Sequence, residues 1–160
     1  MKLSKKHKKV IRILAWIPFL LYIIAMIYFL FFCEQLGRTP SDNYKYSLEP
    51  FREIKRYIAN WSVIGTRGVL LNLAGNILAF VPFGFVLPVL NRTFRSGFHV
   101  TVLSFEFSLL VEVIQLVSKV GSFDVDDLIL NTIGGFLGYI LYRICEKCLL
   151  NTHRRRKKRR

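Results

Sequence analysis

The sequence predicts an all-α, polytopic membrane protein: a bundle of four transmembrane helices with a short amphipathic helix in an outer loop. Three observations lead there. The 160 residues are 52% hydrophobic yet carry 24 Lys and Arg against 10 Asp and Glu, a balance that suits neither a soluble domain nor a disordered chain. Much of the positive charge is segregated into the ends, MKLSKKHKK and HRRRKKRR. Between them lie four apolar runs, each near the roughly 20 residues that cross a hydrocarbon core about 30 Å thick.

Residues 1–9 read as a basic N-terminus, 10–145 as one membrane domain with spans at about 10–33, 69–90, 98–117 and 128–145, and 146–160 as a basic tail. A signal peptide is the rival for the first run. Its apolar core exceeds the usual length of about 7–15 residues, and no small-x-small cleavage site follows. Phe31 and Phe32 precede Cys33, where lipid processing would want small side chains. The run therefore reads as an uncleaved anchor. Between the first two spans, Phe51, Ile54, Ile58 and Trp61 recur at helical spacing with Arg52, Glu53, Lys55 and Arg56 among them. That is the pattern of a helix lying on the membrane surface, as a lid or as a shield for the helix ends. In the second span Pro82, Gly84 and Pro88 remove or free backbone hydrogen bonds, so a kink is expected toward its inner end. No repeat of fixed period and no soluble second domain appear.

Orientation follows the distribution of Lys and Arg. Four spans place 17 of them on the side of the two termini and seven on the other, where four acids in the 33–69 segment bring the charge near neutrality. Both termini are expected in the cytoplasm. The basic ends then lie against anionic lipid headgroups, to which each nearby Lys or Arg contributes about 1 kcal/mol; no nucleic-acid partner is expected. Three cysteines support no disulfide framework, since Cys33 falls on one side and Cys145 and Cys148 on the other. Cys145-x-x-Cys148 is half a zinc motif without its second half.

Polar groups inside a membrane cost free energy, so their positions are informative. Asn72 and Asn76 are four apart and share a helix face. Ser108, Glu112, Gln115 and Lys119 form a stripe along the third span, with Glu106 about 240° round the helix from Glu112. Asp124, Asp126 and Asp127 stand at the mouth of the fourth span and Asn131 one turn inside it. Asn72, Asn76, Glu112, Gln115, Asp127 and Asn131 fall in the outer half, whereas Glu106 lies nearer the inner side. The sequence thus predicts a polar pocket open to the exterior, made by Asn72, Asn76, Glu112, Gln115, Asp124, Asp126, Asp127 and Asn131. Each also has a structural reading: the aspartates as helix caps, the amides as interhelical hydrogen bonds. Gly134, Gly135 and Gly138 contain a small-xxx-small spacing that permits close backbone approach.

With these residues the chain resembles the VanZ-like family of bacterial membrane proteins, named for a teicoplanin-resistance protein. The resemblance covers about Ser47 to Tyr142. It rests on SLEPF (Ser47 to Phe51), N-x-x-x-N followed by F-x-P-F-G-F (Asn72, Asn76, Phe80, Pro82, Phe83, Gly84), E-x-x-Q (Glu112, Gln115), and F-D-V-D-D-L-I-L-N-T-I-G-G-x-x-G (Phe123 to Gly138). It implies a role in the cell envelope and, for the namesake, lower susceptibility to teicoplanin-type glycopeptides. The chain departs from many members in having Gly121 where they carry arginine.

Three classes of function remain open on the sequence. A non-enzymatic protein would bind a lipid-linked wall precursor, a lipid headgroup or the glycopeptide itself at the pocket. A membrane enzyme would use Asp124, Asp126, Asp127 and Glu112 as acid and base or to hold a divalent cation; oxygen-only ligands favour Mg or Ca over Zn. A transporter would need oligomers around a pathway, with Gly134 to Gly138 as an interface. No EF-hand spacing, serine triad or His-rich motif supports a particular chemistry, and binding without a cofactor is the expectation.

Overall fold

A computed structural model of the chain describes residues 5–32 and 43–158. Cys33 and the outermost residues of both basic ends lie outside the described residues. Five α-helices are found among them: α1 (Lys5–Phe32), α2 (Arg52–Ala59), α3 (Trp61–Leu90), α4 (Gly97–Ser118) and α5 (Val125–Lys158). Three helices, α3, α4 and the Val125–Leu150 part of α5, are long and apolar enough to cross a membrane, while the apolar part of α1 among the described residues is the shorter Trp16–Tyr28. Their outward faces are apolar and exposed, as at Val63, Leu78, Leu110 and Val117, which is the surface a bilayer would cover.

α5 is the organising element, packed first against α3 and then against α4. The α3–α5 seam is made by glycine. A Cβ on Gly134 would strike the Ile77 carbonyl, one on Gly138 the Val81 carbonyl, and one on Gly84 the carbonyl of Gly135. On its other side Gly135 faces Ser104 of α4, so the three helices close on a single point. Without side chains between them the backbones approach and dispersion contacts accumulate. The Gly134–Gly138 stripe is therefore occupied within the chain.

α1 adds an aromatic layer on α3 and α4. Phe19 and Met26 are buried, Phe83 stacks on Phe107 with ring centroids 5.0 Å apart, and Tyr22 donates to the Ala79 carbonyl. At the opposite end from α2, Arg95 pairs with Glu146 at 3.4 Å and the Tyr139 hydroxyl donates to the Arg95 carbonyl at 2.9 Å.

Several local features differ from the sequence expectation. α3 as a whole begins at Trp61, but Trp61 to Ile64 form a short turn before a break at Gly65, and the long part of the helix starts beyond that break. Its break from helical dihedrals lies at Gly65 (φ 78°), not near Pro82 or Pro88. Pro lacks a donor but keeps a helical φ, whereas the positive φ at which the chain turns into the long part of α3 favours a residue without Cβ. Two three-residue strands, β1 (Lys45–Ser47) and β2 (Ser122–Asp124), pair in parallel with Ser47 opposite Asp124. Parallel pairing requires a crossover connection, and α2, α3 and α4 supply it.

Candidate functional site

The strand pair sits at the end of the bundle where α3 and α5 begin, and it determines the fate of the polar residues there. Pairing Ser47 with Asp124 lays the 48–51 turn beside the first turn of α5. Phe51 adopts a left-handed conformation (φ 65°) before α2, a helix whose first N–H groups no local side chain caps. Asp126 serves instead. Its carboxylate accepts from the Phe51 N–H and, at 3.0 Å, from the Ile54 N–H. Helix starts leave unpaired N–H groups that favour a negative charge, and here the charge comes from another helix.

A second relay runs through β2. Glu112 of α4, 2% exposed, accepts from the Asp124 N–H at 2.9 Å. Asp124 in turn accepts from the Asp126 N–H at 2.8 Å, capping α5. Deeper in, Asn131 donates to the Ser108 hydroxyl at 2.8 Å, and Asn76 of α3 donates to Asp127 of α5. α5 is thus tied by a polar bond to each of α3 and α4 at this level. Ser104, Ser108, Glu112 and Gln115 are buried along one face of α4.

A cavity of about 390 Å³ opens above these bonds, lined by Ser47, Asn72, Asp124 and Asp127 together with Lys45, Arg52, Arg56 and Tyr57. Of the residues expected in a pocket, Asn72, Asp124 and Asp127 line it. Asn76 lies behind Asp127. Glu112, Gln115, Asp126 and Asn131 are buried and do not line it; backbone N–H groups engage Glu112 and Asp126, and Ser108 engages Asn131. Asp124, Asp126, Asp127 and Glu112 do not form one ligand set: no group of three or more His, Cys, Asp or Glu among the described residues could hold a metal ion. Glu112 and Asp126 spend carboxylate oxygens on N–H groups of the backbone. Glu106 is exposed on another face of α4.

The cations of the cavity were not foreseen. Lys45 comes from β1, and Arg52 and Arg56 from α2, segments whose relation to Asp124 and Asp127 depends on the strand pairing. The family element SLEPF, adjoining an amphipathic pattern, was the available signal. Arg56 pairs with Glu53 and lies 5.1 Å from the centroid of the Tyr57 ring. Burial, ahead of the nearby charges of Asp126 and Glu53, pushes the Asp124 carboxyl above the usual carboxylate range, and the Asp126 N–H opposes that shift. Burial likewise raises Tyr57, so its hydroxyl stays protonated. The Ser47 hydroxyl oxygen and the Asn131 amide oxygen are buried without a hydrogen-bond partner among the described residues.

A family model described as VanZ/LLP1 matches residues 19–146. Protein VanZ of Enterococcus faecium is 32% identical over 136 residues, which is 79% of this chain and 72% of that protein. No solved structure matches the chain.

Proposed function

Because this chain belongs to the VanZ/LLP1 family, we propose that it is a four-span protein of the bacterial cell membrane that lowers susceptibility to teicoplanin-type glycopeptides. It does so by binding a lipid-linked or other envelope ligand at the polar cavity beside the strand pair. On this reading α1 is the first span, both termini are cytoplasmic, and the cavity faces outward. The 28 residues of α1 span about 42 Å at 1.5 Å per residue, and the excess of Lys and Arg near the termini favours that orientation. α2 lies in the membrane surface: Ile58 within it, Phe51 just before it and Trp61 just after it present exposed apolar area beside charged neighbours, the composition of an interfacial helix.

The observation that carries the reading is the lining of the cavity. Ser47 of SLEPF, Asn72 of the asparagine pair and Asp124 and Asp127 of F-D-V-D-D meet at one opening, and Asn76 holds Asp127 from behind. Family elements far apart in sequence therefore converge on a concave polar surface, the general form of a ligand site.

The test is glycopeptide susceptibility in cells with and without the gene, and with Asp127→Asn. The chain should raise the inhibitory concentration of teicoplanin, and the variant should remove the increase while accumulating normally in the membrane. Equal protection by Asp127→Asn would contradict the reading. Metal-dependent turnover of a lipid-linked substrate by the purified chain, lost in the same variant, would replace binding with catalysis. A single cysteine at Ser122, labelled from outside only after permeabilisation, would reverse the orientation.

A further inference from the structure

Resting on the reading of the cavity as a ligand site, we propose that its occupant is a membrane amphiphile with a phosphate-bearing, hydroxyl-rich headgroup. The phosphate meets Arg52, Arg56 and Lys45; the hydroxyls meet Asp124 and Asp127.

The cations and the aspartates of the lining come from different elements: Lys45, Arg52 and Arg56 from β1 and α2, Asp124 and Asp127 from β2 and α5. The lining also includes Glu53 of α2, which is paired with Arg56. Two of the cations are arginines, whose planar fork matches phosphate oxygens in pairs. Arg52 is available to a ligand, for its contact with Glu49 is 4.0 Å long and both side chains are largely exposed. Arg56 is oriented by Glu53 and the Tyr57 ring, and Lys45 is exposed at the rim. A carboxylate lining accepts hydrogen bonds from hydroxyls, whereas it would repel a ligand that was anionic throughout. Asp124, raised by burial, adds a group able to donate when protonated, and the unpartnered Ser47 hydroxyl adds another.

Depth selects phosphate over other oxyanions. α2 forms one wall of the cavity, and its exposed Phe51 and Ile58, with Trp61 just beyond it, put that wall at the membrane surface. Aromatic belts and amphipathic helices sit at the headgroup level, where lipid phosphates lie. A ligand arriving from the bilayer therefore brings its phosphate to the height of Arg52 and Arg56, with its polar headgroup above the tails.

The experiment is native mass spectrometry of the purified full chain in detergent with added phosphatidylglycerol, which has phosphate and hydroxyls on a lipid. Glucosyl-diacylglycerol supplies hydroxyls without phosphate, and glycerol 3-phosphate supplies both without tails. The basic ends hold anionic lipid unspecifically, so the reading is the difference between wild type and variant. Phosphatidylglycerol should remain bound, and Arg52→Gln and Lys45→Gln should each weaken it by about tenfold, the effect of one charge-assisted hydrogen bond. Arg56→Gln joins the comparison if its circular dichroism matches wild type. Equal retention of glucosyl-diacylglycerol, or equal retention of phosphatidylglycerol by wild type and variants, would overturn the inference. Displacement of the lipid by an equal concentration of glycerol 3-phosphate would support phosphate recognition and assign a soluble source. Should Asp127→Asn abolish glycopeptide protection while binding ignores phosphate, the ligand-site reading stands and this inference fails. Should Asp127→Asn leave protection intact, that reading fails whatever the mass spectra show.

Discussion

The α3–α5 seam and the strand-pair end of the bundle solve the same problem in opposite ways. In the seam Gly84, Gly134, Gly135 and Gly138 bring backbones together by having no side chains. At the strand-pair end carboxylates and amides join the helices by hydrogen bonds, and a cavity remains. The seam has no room for change, whereas the polar end holds groups whose removal leaves the backbone in place. Stability and function should therefore separate along the helix axis.

Substitution in the seam is the harshest test of that contrast. Gly134→Leu or Gly138→Val would drive a side chain into the Ile77 or Val81 carbonyl, and overpacking of this kind costs about 3 kcal/mol or more. Neither variant should be recovered as a monodisperse protein from detergent; normal recovery of both would show that the seam yields.

Asp126→Ala comes next. It removes two N–H acceptors at the start of α2, a loss of about 2 kcal/mol. The effect should be local, read as faster hydrogen exchange or protease cleavage over 51–59 with α3–α5 unchanged. Asp126→Asn keeps an acceptor and should lose less.

Asp124 gives the contrast a pH dependence. Its carboxyl is raised in the folded chain, first by burial and then by Asp126 and Glu53, against the Asp126 N–H and Arg56. A carboxyl raised on folding contributes stability that is complete below its unfolded value and lost as pH rises through its folded value. Thermal stability of the purified chain should therefore fall across the mildly acidic range as pH increases, and Asp124→Asn should flatten that part of the profile.

The smallest expected stability effect belongs to Asp127→Asn. An interhelical side-chain hydrogen bond inside a membrane is worth about 0.6 kcal/mol on average, and asparagine can still accept from Asn76. Recovery and melting should match wild type.

These differences also mark what could be read without coordinates. Periodicity placed Ser108, Glu112 and Gln115 on one face of a helix, and that face of α4 is buried. The small-xxx-small spacing indicated close packing, and Gly134 and Gly138 both meet α3 backbone. Neither rule says which residue a polar group will meet. Asp126 and Asp127 are adjacent at the same helix start, yet one caps a distant helix and the other faces a cavity. That division follows from pairing Ser47 with Asp124, and strands of three residues carry too little alternation to be legible. The cations of the cavity escaped for the same reason: Arg52 and Arg56 read as the polar face of a surface helix. The Gly65 break escaped because prolines draw attention to the wrong end of α3.

The most direct measurement is the pair of readings on Asp127→Asn: teicoplanin susceptibility in cells and thermal stability of the purified protein. An unchanged melting curve with protection lost is the predicted result. Protection retained at wild-type level, with the variant just as stable, would contradict the claim that the cavity is where this chain acts.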